Sequence, residues 1–199
     1  MNESEFARLD KLLPDMRKEL VDSAFGKIPK SIVYLESAIG QAKSKDEKSL
    51  LYTFLIRECS SSRNHELRLH FMRKEVEDNP GEVLPLVSLA GYLAFYPESR
   101  EEALVLSATA VALAKKQNRL VKYCLTSQAR IALRLGEFRA FNDVLRQLIE
   151  DAPVSREEDY RLEFDFLDQA SSDQIDHELV EQYRALMTQK SIGSDSIET

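Results

Sequence analysis

The sequence predicts an all-α protein, and three of its properties support that prediction. The chain of 199 residues contains only six glycines and six prolines, and long segments are rich in Ala, Leu, Glu, Lys and Arg, which favour helices. Apolar residues make up 43% of the chain, which is enough to bury a core. They recur three or four residues apart, as on one face of a helix. We therefore expect a single helical domain over residues 1–190 and a disordered tail over 191–199.

The first two predicted helical hairpins span residues 12–45 and 49–82. Gly26 separates the two helices of the first hairpin. Pro80 ends the second hairpin, because proline cannot continue the backbone hydrogen bonds of a helix. The apolar faces comprise Leu35, Ala38 and Ile39 in the first hairpin, and Leu67, Phe71, Met72 and Val76 in the second.

The third predicted hairpin spans residues 84–117. Aligned with the next hairpin, it brings Gly91 into register with Ala129, so that a small residue stands at both points. Its second helix has Ala103 and Ala110 seven positions apart on one face. We expect these small side chains to let neighbouring helices approach closely.

The fourth predicted hairpin, residues 122–155, has the clearest boundaries. Gly136 stands where the first helix ends, and Pro153 marks the end of the second. Between them, apolar residues recur at helical spacing, which predicts an amphipathic helix. These residues are Phe138, Phe141, Val144, Leu145, Leu148, Ile149 and Ala152.

The fifth predicted hairpin spans residues 155–190. Ser155 and Glu158 form a capping-box pattern that begins its first helix. Its last helix has Ile175, Leu179 and Tyr183 at helical spacing. Many acidic residues make this pair suitable as the solvated end of a helical stack.

These patterns give the chain a resemblance to the tetratricopeptide-repeat (TPR) family, whose members stack helical hairpins of 34 residues. The first four hairpins begin 35 to 38 residues apart, and a general helical-repeat solenoid is the alternative. The resemblance implies a right-handed superhelical stack of about five antiparallel helix hairpins, with a concave groove that binds a protein or peptide. The residues that carry it are Gly91, Ala103, Ala110, Ala129, Gly136 and Pro153, whereas Phe141 and Leu148 stand where the family prefers alanine.

Charge is unevenly distributed along the chain, whose net charge is −7. Residues 115–150 contain eight basic and three acidic side chains, a net charge of +5, and residues 151–199 contain four basic and thirteen acidic ones, a net charge of −9. We expect the acidic segment to pack on the basic one and reduce its field. No nucleic-acid partner is therefore expected.

No motif of a catalytic or cofactor-binding site occurs in the sequence. The three histidines, His65, His70 and His177, have no cysteine or carboxylate beside them that would complete a metal site. Glycine-rich phosphate loops and nucleophile motifs are absent as well. We expect a protein that is not an enzyme and needs no cofactor or metal.

The sequence also predicts a cytoplasmic protein. Its first residues, MNESEF, do not resemble a secretory signal, and its most apolar run, residues 104–114, is too short to cross a bilayer. Cys59 and Cys124 lie far apart and are expected to be buried, reduced thiols.

The predicted function is a protein-protein interaction module, an adaptor or chaperone-like scaffold. On the hairpin register, the partner-binding residues are Arg57, Tyr92, Tyr96, Arg130 and Arg134. Arg130 and Arg134 lie one helical turn apart and could hold a carboxylate or phosphate.

Three alternatives stay open. Arg130 and Arg134 could instead dock the acidic C-terminal hairpin. The protein could be an acidic inhibitor, such as an immunity-type protein, that neutralises a basic toxin or nuclease through its C-terminal surface. Apolar residues near the N-terminus, such as Phe6 and Leu9, could pack within the chain or form a homo-oligomer.

Overall fold

The computed structural model describes residues 30–150 and 173–194, and the side chains of residues 31–150 and 173–186. These ranges contain eight α-helices, one short 3-10 helix and no strand, so the all-α prediction is confirmed. The right-handed superhelical stack stays a prediction. None of the helices in these ranges is long and apolar enough to span a bilayer. The helices are α1 (Lys30–Gln41), α2 (Lys45–Ser61), α3 (His65–Asp78), α4 (Val83–Leu93), the 3-10 helix Pro97–Ser99, α5 (Arg100–Gln117), α6 (Val121–Arg134), α7 (Phe138–Glu150) and α8 (His177–Ser194).

The chain divides into two compact units, Met1–Pro80 and Gly81–Thr199. In the first unit, α1 packs on α2, and α2 packs on α3. N-cap side chains begin α2 and α3. The Ser44 hydroxyl accepts a hydrogen bond from the Glu47 amide, and the Asn64 side chain accepts one from the Leu67 amide. The core comprises Ile32, Leu35, Ile39, Leu51, Tyr52, Phe54, Leu55, Cys59 and Phe71.

A polar contact joins the start of α2 to the end of α3. The Tyr52 hydroxyl, on a fully buried side chain, donates a hydrogen bond of 2.6 Å to the Asp78 carboxylate. The Lys48 ammonium lies 2.9 Å from the same carboxylate. The hydrogen bond from Tyr52, followed by the one from Lys48, lowers the pKa of Asp78. Burial and the neighbouring Asp78 raise the pKa of Tyr52, so the phenol stays protonated and acts as a donor.

Glu75 is a buried carboxyl group on α3, with 8% of the residue exposed. Burial raises its pKa from 4.5 to about 7, because a low-dielectric surrounding disfavours the charged form. Exposed Glu77 lies two positions further along the same helix. The first unit therefore contains an acid whose ionisation opposes folding.

In the second unit, each helix from α4 to α7 packs on the one that follows it, and α4 also packs on α6. Small residues at these contacts are fully buried, including the predicted Ala103, Ala110 and Ala129. The predicted apolar face of α7 is also buried at Phe141, Val144, Leu145 and Leu148. These burials explain why α5, α6 and α7 form at the predicted positions.

Gly91 and Gly136 have different roles in this unit. Gly136 ends the turn after α6 with φ +71°, a left-handed conformation that favours glycine. A Cβ atom at Gly91 would meet nothing within 4 Å. The expectation that Gly91 permits a close helix approach is therefore wrong, because no neighbouring helix lies against that position.

We predict opposite stability changes for alanine at these two glycines. Gly91→Ala should raise the free energy of unfolding by roughly 0.5–1 kcal/mol, because alanine loses less backbone entropy in a helix. Gly136→Ala should lower it by about 1 kcal/mol, because a Cβ atom strains the left-handed conformation. Denaturant unfolding of the three chains measures both changes. A destabilised Gly91→Ala variant would show that the site is more crowded than described.

We also predict that Glu75→Gln removes a pH-dependent penalty. The unfolded chain releases the Glu75 proton near the ordinary pKa of 4.5, whereas the folded chain keeps it until about 7. The stability linked to the protonated Glu75 is therefore fully present below about pH 4.5 and is lost as the pH rises towards 7. Relative to wild type, Glu75→Gln should gain roughly 1–3 kcal/mol above neutral pH and little in acid.

The matched control for this measurement is Glu77→Gln, which removes the same charge from the solvated side of α3. Urea unfolding of the three chains across the pH range should show a pH-dependent gain for Glu75→Gln alone. An equal gain in both variants would mean that net charge, rather than burial, causes the effect.

Candidate functional site

A cleft of about 440 Å³ lies in the second unit, where α4 and α6 end. Its lining combines apolar side chains with two arginines. The lining residues are Ala94, Phe95, Pro97, Arg100, Arg134 and Leu135. This volume falls within the range of small-molecule pockets.

The end of α4 places Phe95 at the surface. The helix ends at Leu93, and the amide of Tyr96 turns back to donate a hydrogen bond of 2.9 Å to the Leu93 carbonyl. Pro97 then begins the 3-10 helix and prevents α4 from continuing. As a result, 63% of Phe95 is exposed, although the adjacent Leu93 and Ala94 are buried.

Arg134, in the last turn of α6, contacts this exposed ring. Its guanidinium carbon lies 4.0 Å from the centroid of the Phe95 ring, a cation-π contact. Arg134 itself is exposed. Within the described ranges, no carboxylate lies at ion-pair distance from its guanidinium. The cleft therefore contains a positive charge held on an aromatic surface.

Arg100, the other arginine of the cleft, forms an ion pair. Its Nε donates a hydrogen bond of 3.0 Å to Glu137 Oε1, and a second guanidinium nitrogen donates to the same oxygen. The turn after α6 holds Glu137, whose amide donates to the Ala132 carbonyl at 2.8 Å. Glu137 thus balances the charge of Arg100, whereas no carboxylate in the described part of the chain does so for Arg134.

The remaining predicted partner-binding residues lie in different surroundings. Tyr92 is 8% exposed, and the Tyr96 hydroxyl donates a hydrogen bond of 3.1 Å to its hydroxyl group. Arg130 is half-buried, one turn before Arg134 on α6. Arg57 is exposed on α2, in the first unit. Only Arg134 of the predicted residues lines the cleft.

The sequence reasoning missed Phe95, Pro97, Arg100 and Leu135. A signal for the first two was present in the run Ala94–Pro97, AFYP, because an aromatic residue just before a helix-ending proline cannot continue the buried face. Arg100 and Leu135 carry no such local signal. Their place in the cleft follows from the packing of α4 on α5 and α6.

Residues just before α8 contact α7, which concerns the alternative that basic residues dock the acidic C-terminal hairpin. Asn142 donates a hydrogen bond of 3.1 Å to the Gln174 carbonyl, and it accepts one of 3.1 Å from the Asp176 amide. Arg146 lies 3.7 Å from the Asp176 carboxylate. The acidic end of the chain therefore meets the basic segment 115–150 here through Arg146. Other residues of the predicted acidic surface, including Asp165 and Asp168, lie outside the described residues.

The cysteines and histidines show no catalytic arrangement within the described ranges. Both thiols are buried and free, as predicted, and burial raises the pKa of Cys59 and of Cys124 to about 11. Such thiols stay protonated and are poor nucleophiles. The His70 ring packs edge-on against Phe71 at 5.0 Å. In this part of the chain, no three metal-ligating side chains come together.

Comparisons of the chain with protein-family models, with curated proteins and with solved structures find no match. The resemblance to the tetratricopeptide-repeat family therefore stays a prediction from the sequence pattern.

We predict that Arg134→Ala changes the stability of the protein little. An exposed cation-π pair contributes about 0.5–1 kcal/mol, so the free energy of unfolding should fall by no more than that. The matched control is Arg139→Ala, which removes an exposed arginine from α7. Denaturant unfolding checks both variants. A loss of several kcal/mol in Arg134→Ala alone would assign this arginine a structural role.

Proposed function

We propose that the chain is a non-enzymatic protein-protein interaction module, an adaptor or chaperone-like protein that binds a peptide or protein partner. The observation that carries the proposal is the exposed Phe95 ring with the Arg134 guanidinium on it, beside the cleft. Aromatic residues and arginine are enriched among the side chains that contribute most to protein interfaces.

The exposure of Phe95 supports this proposal. Burial of a phenylalanine side chain against a partner contributes roughly 1.5–3 kcal/mol, which the free protein forgoes at this position. Pro97 and Leu135 extend the apolar surface around the ring. The positive charge of Arg134 makes an otherwise apolar contact specific for a partner group of negative charge.

Arg130 and Tyr96 belong to the same proposal as neighbours of this surface. Arg130 lies one turn before Arg134, and Tyr96 directly follows Phe95. Tyr92 offers a partner little surface, because its ring is buried. Arg57 remains a proposed partner-binding residue of the first unit, and Arg57→Ala tests it separately.

The acidic-inhibitor alternative has no comparable support among the described residues. Asp176, one of the aspartates that it needs, is engaged inside the protein: its carboxylate accepts a hydrogen bond from the Leu179 amide and lies near Arg146. Asp173 is exposed, but an exposed acidic side chain is common on any protein surface.

We predict that a double substitution in the cleft abolishes partner capture. The tagged full-length chain with Phe95→Ala and Arg134→Ala should retain under a tenth of the partner that wild type captures from the source cells, because a central aromatic and a charged contact are lost together. Quantitative mass spectrometry of the captured proteins measures this. Calorimetric titration of the purified partner then gives the affinity.

The matched control combines Val105→Ala with Arg139→Ala. Val105 is 59% exposed on α5, so this pair removes similar exposed side chains from outside the cleft. Circular dichroism must show that both doubly substituted chains keep their helices. Equal capture by the cleft variant, the control and wild type would contradict the proposed site.

A further inference from the structure

Building on the proposed function, we propose that the cleft recognises a side-chain carboxylate next to an apolar side chain of the partner. The carboxylate of an aspartate or glutamate binds the N–H groups of Arg134. The apolar side chain lies on Phe95, Pro97 and Leu135. The partner is thus defined by an acidic-apolar pair of residues.

The Arg134 guanidinium is the group that would bind the carboxylate. A guanidinium has five N–H donors in one plane, which match the two oxygens of a carboxylate. The ring of Phe95 interacts with the positive charge but supplies no carboxylate oxygen to those donors. Holding the group on the ring also restricts its side chain, so less freedom is lost when an anion binds.

The charge of the cleft decides between carboxylate and phosphate. Arg100 is balanced by Glu137, so the two arginines of the cleft leave one uncompensated positive charge among the described residues, that of Arg134. A carboxylate brings one negative charge, whereas a phosphorylated side chain brings about 1.5 to 2. Phosphate would require Arg100 to leave Glu137. The arrangement therefore favours a carboxylate.

The apolar lining residues of the cleft indicate which kind of side chain stands next to the carboxylate in the partner. Ala94, Phe95, Pro97 and Leu135 supply no charged group, and Phe95 is the most exposed large apolar side chain described. A purely acidic segment would leave this surface in contact with water. An apolar side chain beside the acid would cover it and gain from leaving water.

Long-range electrostatics agree with a local recognition of this kind. The whole chain has a net charge of −7, which opposes the approach of an acidic partner, but Arg134 lies within residues 115–150, whose net charge is +5. At physiological salt, charges beyond about 8 Å are largely screened. At the cleft the charge of Arg134 itself therefore outweighs the more distant charges of the chain, and binding should weaken moderately as salt is added.

The test uses a displayed library of random peptides, selected on the full-length wild-type chain and counter-selected on the full-length Phe95→Ala chain. The enriched peptides are synthesised with an amidated C-terminus, so that only side chains supply carboxylates. Each acidic residue is then replaced by its amide, Asp by Asn or Glu by Gln. In a further peptide, phosphoserine replaces the acidic residue.

Affinities are measured on wild type and on two variants, Arg134→Gln and Arg134→Lys. We expect the acid-to-amide change to weaken binding to wild type at least about 10-fold and binding to Arg134→Gln by less than about 2-fold. Arg134→Lys should restore part of the preference for the acidic peptide over its amide that Arg134→Gln removes. Lysine keeps the positive charge but lacks the two parallel N–H donors of a guanidinium. The phosphoserine peptide should bind no better than the acidic one.

The outcomes separate this inference from the proposed function. If peptides require Phe95 but tolerate the amide change, or bind more tightly with phosphoserine, the carboxylate assignment is wrong while the cleft remains a binding site. If the amide change weakens binding equally on wild type and on Arg134→Gln, another group holds the acid and the inference again fails. If no selected peptide depends on Phe95, both the inference and the proposed function fail.

Discussion

The packing of α4 against both α5 and α6 is the constraint on which the candidate site depends. These helices carry small side chains that are fully buried, namely Ala90, Ala103, Ala110 and Ala129. Large residues at these points would separate the helices. Because the ends of α4 and α6 are brought together, Phe95 and Arg134 touch although they lie far apart in the sequence.

The two arginines of the cleft show how local structure divides similar side chains between different roles. Arg100 begins α5 and meets Glu137, which the left-handed Gly136 turn presents after α6. Arg134 ends α6 and meets an aromatic ring instead of an acid. A helical C-terminus also favours a cation. The first arginine joins two parts of the unit, and the second lies on an exposed ring with no acid of the described ranges at ion-pair distance.

Carboxylates in the first unit show the same dependence on surroundings. Asp78 receives hydrogen bonds from Tyr52 and Lys48, which favour its charged form. Glu75, one turn earlier on α3, is buried without such support, so its neutral form is favoured up to about neutral pH. An acid therefore stabilises or opposes the fold according to its burial and to the donors beside it.

The sequence by itself determined the helical class, the end of α6 before Gly136 and the burial of both cysteines. Helical spacing and Gly136 are local signals, and local signals suffice to predict where a helix forms and which face it buries. The same spacing identified Arg134 as a candidate, but it grouped it with Tyr92, whose ring is buried, and with Arg57, which belongs to the other unit.

Only the tertiary structure decided which side chains meet. Spacing along one helix cannot show that Leu135 and Pro97 line the same cleft, that Gly91 faces open space, or that Glu137 balances Arg100 and not Arg134. These facts depend on contacts between helices that are distant in sequence. The physical reason is that a helix specifies its own faces through local hydrogen bonds and spacing, whereas its neighbours are chosen by packing over the whole unit.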